Sequence, residues 1–552
     1  MLRIIPLGGI GHVTNNMFVY EYGEGQNVER LIVDCGIGFP EEEMLGADLL
    51  VPDISYLQGK ENSIVGIVLT HGHDDHIAGL PYILPQLNMD IPVFASPLTA
   101  GFAQENFKEF GLKTQIQTFP RDQILQLGSF GIDPVAITHS VPDTKHLAIT
   151  TPEGVIYHGS DFKFDWTPID GHRPDVQKIA YYGHKGVLAL LSDCLRIENE
   201  GYTLSESKVG ENLSREIRDV KGKVIVTTMS SNIHRIQQAI DAAVEHHRKI
   251  AFIGRSVEEN IRISQQLGFL QIPEKVVINK RRIKQFKDNQ LCLIVAGSQG
   301  QIGSTLARIA TNQHQLVSIK TGDHVVFSAD PIPGNERNAY RAVDNLAKLG
   351  ATVSYREVQD TLHVSGHASA DELRLLLTLT KPKYTIPIGG TFRHMTQYRL
   401  LATGMGWRDE QVLLLNDGEI AGISRDKIWV DNKIKLKTII VDGLGIGDVG
   451  PLVLSDRKKM SQSGMMVIAI PVDQNKNQIK GRPEVITRGF VFARQSQELL
   501  EAIADETQKH LLAGMQIRDW KDKRDEVTEE LEKFVFLETQ REPLVLITLV
   551  KS

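Results

Sequence analysis

Through its first 200 residues the chain alternates short apolar runs with glycine, proline and aspartate: LRIIPLG, NMFVYEY, RLIVDCG, SIVGIVLT, IPVFAS, VAITHS, LAITTP, GVIYHGSD and VLALLSD. Runs of this length bounded by turn-forming residues predict β-strands, and few helical patterns interrupt them. From about residue 201 the rhythm changes. KVIVTTM, KIAFIGR, LCLIVAG and HVVFSAD alternate with segments of helical spacing, IHRIQQAIDAAVEHH and VEENIRISQQLG, an order that predicts an open parallel α/β sheet over 201–361. Beyond it, in 362–440, ADELRLLLTLT predicts a helix and KYTIPIGG a strand followed by a loop. A linker over 441–455 then leads to a compact α+β module at 456–552, with GMMVIAIPV, PEVITRGFV and PLVLITLV as strands and SQELLEAIADETQKHLLAGM and WKDKRDEVTEELEKFVF as amphipathic helices.

A chain of 552 residues exceeds one ordinary core, so two or three domains are expected. No stretch approaches the roughly 18 apolar residues of a membrane span, and MLRIIPLGG lacks the pattern of a secretory leader, which together predict a cytoplasmic protein with no membrane partner. The three cysteines, Cys35, Cys194 and Cys292, lie far apart and form no CxxC pair, so neither a disulfide framework nor a thiolate zinc site is expected. Any metal must be held by histidine and carboxylate. The net charge of -7 argues against non-specific coating of nucleic acid, and the one basic cluster, NKRRIKQFK at 279–287, reads equally as a solvated surface or as a phosphate contact.

The densest chemistry is HGHDDH at 71–76, directly after SIVGIVLT. Period-two alternation puts His71 and His73 on one side of the extended chain, with Asp75 and His76 following at the turn into IAGLPYIL. Imidazole and carboxylate in so short a span suit a borderline divalent ion such as zinc; the competing reading is a polar turn that happens to be histidine-rich. His139 in VAITHSVPD and Asp161 in GVIYHGSD fall at the ends of other predicted strands, and strands of one sheet bring their loops to a common rim. Asp34, ending RLIVDCG, would reach that rim too, where a carboxylate can fix the tautomer of a ligating histidine.

The order Asp34, His71-x-His73-x-Asp75-His76, His139, Asp161 resembles the metallo-β-lactamase superfamily. PLGGIG, VDCGIGFPEEEMLGADLLVPDISYL, SDFKFDWTPIDG, LLSDC, SSNIHRIQQ, AGSQGQ, PIPGNE, HVSGHAS, VDGLGIGDVG and ITRGFVF narrow the resemblance to ribonuclease J, a β-CASP nuclease family, over essentially the whole chain. The resemblance implies an α/β fold: an αββα sandwich formed by 1–200 and 362–440, a β-CASP domain inserted at 201–361, and a small C-terminal α+β domain that builds a dimer or tetramer. It also implies two divalent ions, zinc first with manganese or magnesium as alternatives. His71, His73 and His139 would hold one, Asp75 and His76 the other, and Asp161 would bridge them. Asp193 in LLSDC and His367 in HVSGHAS match the first two β-CASP motifs, with His367 the general-acid candidate and Asp75 and Asp193 counted with it as catalytic. Ser231, His363 and Ser365 match a pocket for an RNA 5'-phosphate. Taken without the resemblance, Asp193 reads as a turn residue, His367 as a helix start, and Ser231 and Ser365 as helix caps. The implied activity is 5'-to-3' exonuclease action on single-stranded RNA with a 5'-monophosphate, with endonuclease action as a second mode, in RNA processing and decay.

Three stretches depart from the family. Where the third β-CASP motif has a metal-ligating histidine in PxHGE, this chain has PIGGTFRH, with Gly389 at the histidine position and Thr391 at the glutamate position. The second ion is then expected to bind more weakly, with water completing its sphere; His394 is not assumed to substitute. SDCLRIE replaces SDSTN, and GGIGHVTNN replaces GGxGEIGxN. Gly389 therefore leaves open a second function, a degenerate paralogue that binds RNA, the RNA-decay machinery or an active paralogous subunit and contributes little catalysis. A small-molecule hydrolase on the same fold is a third, which leaves Asp193 and HVSGH unexplained.

Overall fold

The computed structural model describes residues 1–25, 27–119, 124–301, 303–332, 335–359, 361–473, 478–491, 496–511 and 515–551. Pro333 and Gly334 of PIPGNE and Phe492 of ITRGFVF lie outside them. The chain divides into two compact units, one of residues 1–39 and 50–439, the other of 40–49 and 440–552.

The first unit is built on two mixed sheets. One has eight strands in the order Ile428–Lys433, Glu419–Ile423, Leu2–Gly8, Met17–Tyr22, Glu29–Val33, Ile64–Val68, Val93–Ala95 and Gln117–Thr118. The other has six, in the order Tyr384–Ile388, Val187–Asp193, Gly154–Gly159, Lys145–Thr151, Phe130–Ala136 and Leu125–Leu127. Alternating apolar positions of both sheets share one core: Leu2, Ile4, Phe18, Leu31 and Val68 from the first meet Ile132, Leu147, Ile149, Ile156 and Leu190 from the second. Helices cover the outer faces, Pro97–Glu109 on the eight-stranded sheet and Val176–Lys185, Ala370–Thr380 and Phe392–Gly404 on the six-stranded one. The result is the αββα sandwich. Its final strands come from residues beyond 361, so the chain leaves the sandwich after Val187–Asp193 and returns to finish both sheets.

Between departure and return lies a five-stranded sheet, in the order Lys249–Ile253, Leu291–Val295, Val224–Thr227, His324–Phe327 and Thr352–Ser354, with every pairing parallel. Its strands are unbroken apolar runs because helices cover both faces, as the strand and helix alternation of the sequence predicts. Helix Ile233–Glu245 starts where the Asn232 side chain accepts the Arg235 N–H at 3.0 Å. Helix Ala370–Thr380 starts at a Ser369/Glu372 capping box, and Lys381 in the left-handed region (φ 43°) ends it. The basic cluster forms a short 3-10 helix, Lys280–Gln285, that buries Ile283 and pairs Lys280 with Glu258.

The second unit centres on strand Met465–Asp473, antiparallel to Glu484–Arg488 and parallel to Leu544–Lys551. Helices Gln497–His510 and Ile517–Thr539 supply Ile503, Leu531 and Val535 to a core with Met466 and Ile468. Two features differ from the sequence reading. The 441–455 stretch is not a bare linker: it holds the end of strand Ile439–Asp442, the strand Gly445–Ile446 and the start of helix Pro451–Ser463. Residues 40–49, read with the N-terminal domain, belong to this unit, where Arg457 donates to the Leu45 carbonyl at 2.9 Å and the Val441 carbonyl accepts the Asp48 N–H at 2.9 Å. Both features depend on long-range contacts, and pieces this short carry no periodicity to reveal them. Among the described residues no helix is long and apolar enough to cross a membrane.

Candidate metal centre

HGHDDH begins three residues after strand Ile64–Val68, and Asp74 starts a single helical turn, Asp74–Ile77, for which His73 is the N-cap. The extended backbone of His73 (φ -82°, ψ 148°) keeps its ring beside that of His71, as alternation predicts, while the helical turn swings Asp75 and His76 to an adjoining position. His139 follows strand Phe130–Ala136 and Asp161 follows Gly154–Gly159. The ligand atoms of His71, His73, His139 and Asp161 lie within 4.8 Å of one another, as do those of Asp75, His76 and Asp161, and those of Asp161, Asp193 and His367. Asp161 is common to all three groups.

Hydrogen bonds at the far side of each ring decide which nitrogen faces inward. The Asp34 carboxylate accepts the Thr70 N–H and hydroxyl, both at 2.8 Å, and lies 2.7 Å from His76 Nδ1. A carboxylate only accepts, so His76 carries its proton on Nδ1 and its Nε2 faces Asp161 at 3.6 Å. Because the Thr70 hydroxyl donates to Asp34, it accepts from His71 Nδ1 at 3.0 Å, which leaves His71 Nε2 unprotonated. His139 Nδ1 donates to the Gly366 carbonyl at 2.8 Å, leaving its Nε2 unprotonated too. His73 is reversed: its Nε2 meets the Ser140 hydroxyl at 3.2 Å and its Nδ1 points inward.

Three ring nitrogens therefore converge, with His73 Nδ1 3.2 Å from His71 Nε2 and 3.1 Å from His139 Nε2. A single proton on His73 could satisfy only one of the two lone pairs facing it. Burial, reinforced by the neighbouring histidines, holds His71 and His139 well below the ordinary imidazole range and brings His73 to about 3, so all three are neutral near pH 7. Buried neutral imidazoles around one carboxylate form a donor set suited to a divalent cation, and the fit to metal is good.

The second group is more open and more acidic. Burial raises the Asp75 carboxyl to about 6. His76 is raised well above its usual value, because Asp161, Asp75 and Asp34 outweigh the burial that would lower it. Asn16, absent from the sequence reading as a site residue, places Nδ2 3.1 Å from His76 Nε2 and donates to the Asp75 carbonyl at 3.2 Å. Gly389 lies where the motif predicts, at the end of strand Tyr384–Ile388, with φ at 65° and its N–H donated to the Gly9 carbonyl at 2.9 Å. A Cβ on Gly389 would sit 3.6 Å from Asp193 Oδ1 and 3.9 Å from Asp161 Oδ1, so the glycine faces the site but supplies no ligand. His394 meets Thr391 and Arg393 and belongs to none of the three groups.

His367 donates from Nδ1 to Asp193 Oδ2 at 2.8 Å and turns Nε2 toward Asp161 Oδ2 at 3.9 Å. It precedes helix Ala370–Thr380 by three residues, so it is not a helix-start residue. Against the effect of burial, Asp193 and Asp161 raise it to about 9. In the same loop the Ser365 hydroxyl accepts the His367 N–H at 3.1 Å, and His363 Nδ1 lies 3.3 Å from Arg235 Nη1. Ser231 sits at the turn before helix Ile233–Glu245, whose cap is Asn232, and no hydrogen bond joins its hydroxyl to His363 or Ser365. Arg235, also missed as a site residue, is fully buried. It donates to both Glu206 oxygens, at 2.6 and 3.0 Å, and to the Ser328 carbonyl at 2.7 Å, so it holds the His363 loop to the five-stranded sheet. It lies inside SSNIHRIQQ, but a helical pattern does not distinguish a buried arginine from a solvated one.

Comparison with known proteins agrees with this architecture. Residues 10–189 match the metallo-β-lactamase superfamily, 221–346 the ribonuclease J β-CASP domain, 350–409 the Zn-dependent metallo-hydrolase RNA specificity domain and 452–552 the ribonuclease J C-terminal domain. The chain is 34% identical to ribonuclease J2 of Bacillus subtilis, over 99% of its own length and 98% of that protein's. It is 36% identical to ribonuclease J of Thermus thermophilus, over 100% and 95%. A crystal structure of a protein of unknown function from Enterococcus faecalis shares the fold with a TM-score of 0.54 at 14% identity, covering 76% of this chain and 99% of the other.

Proposed function

Because the chain belongs to the ribonuclease J family, we propose that it is a metal-dependent ribonuclease that shortens single-stranded RNA from a monophosphorylated 5' end, with internal cleavage as a second mode, in cytoplasmic RNA processing and decay. The observation that carries this reading is the sharing of Asp161 between two ligand groups, with His367 beside it. His71, His73, His139 and Asp161 would hold one divalent ion and Asp75, His76 and Asp161 a second, and zinc suits the nitrogen-rich first group, with manganese or magnesium as alternatives. Divalent ions there would supply Lewis-acid chemistry, the activation of water at neutral pH and the neutralisation of charge gathering on the phosphate.

The chain's own residues do the rest. Water adds to the scissile phosphorus, the bond to the 3' oxygen breaks, and that oxygen takes a proton. His367 is placed to give it from Nε2, because Asp193 fixes the opposite ring nitrogen. Each cycle releases a nucleoside 5'-monophosphate and leaves a new 5'-phosphate on the shortened RNA. His363, Ser365 and Ser231 line the pocket that receives that end. The C-terminal unit associates copies of the chain into a dimer or tetramer, which light scattering on a chain ended after Ile439 tests by loss of the oligomer.

The deciding experiment pairs the metal content of the purified protein with cleavage of 5'-monophosphate and 5'-triphosphate RNA, using Asp75→Ala as control. Bound metal and faster loss of the monophosphate substrate are expected. Equal rates on both ends remove the pocket, and no cleavage in zinc, manganese or magnesium identifies a non-catalytic RNA-binding or partner subunit.

A further inference from the structure

SDCLRIE, one of the stretches that depart from the family pattern, places Arg196 three residues after Asp193. The loop is fixed at several points: Asp193 Oδ1 accepts the Leu195 N–H at 2.8 Å, the Arg196 carbonyl accepts the Asn199 N–H at 2.9 Å, and the backbone of Arg196 bridges that of Ser369, two residues beyond His367. Yet the guanidinium has no assigned task. Among the described residues its Nε is buried without a hydrogen-bond partner and no carboxylate lies within ion-pair distance of it. A buried donor left unmatched costs stability, and an arginine in that state is suited to a ligand.

The surroundings sharpen this. Burial first, and then the positive charges of Arg235, Lys163, Arg356 and Arg196, hold His363 well below the ordinary imidazole range. Three of them are already matched: Arg235 by Glu206 at 2.6 Å, Arg356 by Asp330 at 2.7 Å and Lys163 by Asp165 at 3.7 Å. The other carboxylate near Arg196 is Glu372, which is occupied by the N–H groups of Phe164, Thr203 and Ser369 at 2.7, 2.8 and 2.8 Å. Asp330 has one buried oxygen without a partner and its other on Arg356. Arg196 is thus the one cation around His363 that no side chain of the described chain engages. It lies on the loop that follows Asp193 and whose backbone bridges Ser369, two residues beyond His367.

We propose that Arg196 clamps the 5'-terminal phosphate of the RNA, its planar fork taking two phosphate oxygens beside His363. A guanidinium matches a phosphate in a two-point geometry that serine and histidine cannot supply, and a terminal phosphomonoester carries more charge than an internal diester. The inference rests on the ribonuclease reading and makes Arg196 the residue that separates a phosphorylated 5' end from a hydroxyl one.

The test measures calorimetric binding of two 2'-O-methyl RNA pentamers with methylphosphonate linkages, one with a 5'-phosphate and one with a 5'-hydroxyl. These linkages resist hydrolysis and remove the internal charges. Arg196→Ala should weaken binding of the phosphorylated pentamer by about 10- to 100-fold, the range of a charge-assisted contact, and leave the hydroxyl pentamer within about 2-fold. Arg196→Lys, which keeps charge and bulk but loses the fork, should fall between, and it guards against an Ala variant that misfolds. Equal weakening of both pentamers, or no change in either, overturns the clamp. The clamp stands, and the ribonuclease reading alone fails, if the wild type is inert on natural RNA yet prefers the phosphorylated pentamer through Arg196.

Discussion

His71, His73 and His139 each turn one ring nitrogen to a hydroxyl or carbonyl and the other to the shared Asp161, whereas Asp75 and His76 alone join Asp161 in the second group, and Gly389, which faces Asp161 and Asp193, adds no ligand. In the first group the imidazoles are neutral by burial, and their orientation is fixed by Thr70, Ser140 and Gly366 before any cation arrives. In the second, His76 is fixed by Asp34, but Asp75 is half-buried with its carboxyl raised, and Asn16 already approaches the inward nitrogen of His76. Preorganised donors lose little freedom on binding, and four protein donors hold an ion more tightly than three. The contrast predicts one tight and one weak ion, with the weak site setting how activity depends on metal supply.

The largest expected effect comes from breaking the tight group. His139→Ala should remove the first ion, so that metal content measured by mass spectrometry falls and RNA cleavage drops by more than the roughly 100-fold that loss of an outer partner costs. If the variant keeps its metal and its rate, the tight group has been assigned to the wrong residues. His367→Ala should slow turnover by about 100- to 10,000-fold, the usual worth of general acid-base catalysis, with metal content unchanged. Because His367 also forms a group with Asp161 and Asp193, metal lost alongside activity would make it a ligand rather than an acid, and the comparison would have to be redrawn around three positions.

A smaller effect is expected at Asp34. Asp34→Asn keeps the shape but can present its amide N–H to His76 Nδ1, which would favour the tautomer with the proton on Nε2, the nitrogen that faces Asp161. Affinity for the second ion should fall by about 10- to 100-fold while the first is spared, which a metal titration with two resolved steps would display. Equal loss at both sites would mean that the Thr70 bridge from Asp34 to His71 couples them.

How far this was legible from sequence divides along the same line. HGHDDH, His139 and Asp161 name the donors because strand ends of a common sheet bring distant loops together, and Gly389 was legible as a gap in a motif. The direction of each ring was not. It depends on Thr70, Ser140, Asn16 and the Gly366 carbonyl, groups too common in any sequence to mark themselves, whose effect exists only once the fold sets them beside an imidazole. Arg235 and Arg196 escaped for a related reason: a charge reads as solvated until burial shows otherwise. The fold was legible where periodicity was strong, in the strands of the sandwich and the parallel insertion, and illegible at 40–49, which joins the second unit through the Arg457 guanidinium and the backbone of Asp48.

The smallest expected effect is also the most direct test of the contrast. Gly389→His would add an imidazole beside Asp161, the carboxylate that the weak group shares, and is expected to supply the ligand that the motif lacks. Space permits it, since a Cβ there meets its nearest neighbours, Asp193 Oδ1 and Asp161 Oδ1, at ordinary contact distances of 3.6 and 3.9 Å. The backbone resists it, because φ at 65° lies in the left-handed region, where a non-glycine residue costs about 1 kcal/mol or more. One new ligand should exceed that cost, so the second ion should bind about 10-fold tighter, equivalent to about 1.4 kcal/mol, and half-maximal cleavage should need correspondingly less metal. The backbone penalty should appear separately, as a slightly lower melting temperature of the metal-free variant than of the metal-free wild type. Calorimetric titration of both proteins reads the two terms independently. Two ions bound with equal tightness by the wild type, and no gain from the added imidazole, would show that water and Asn16 already complete the second group and that the asymmetry between the two is only one of appearance.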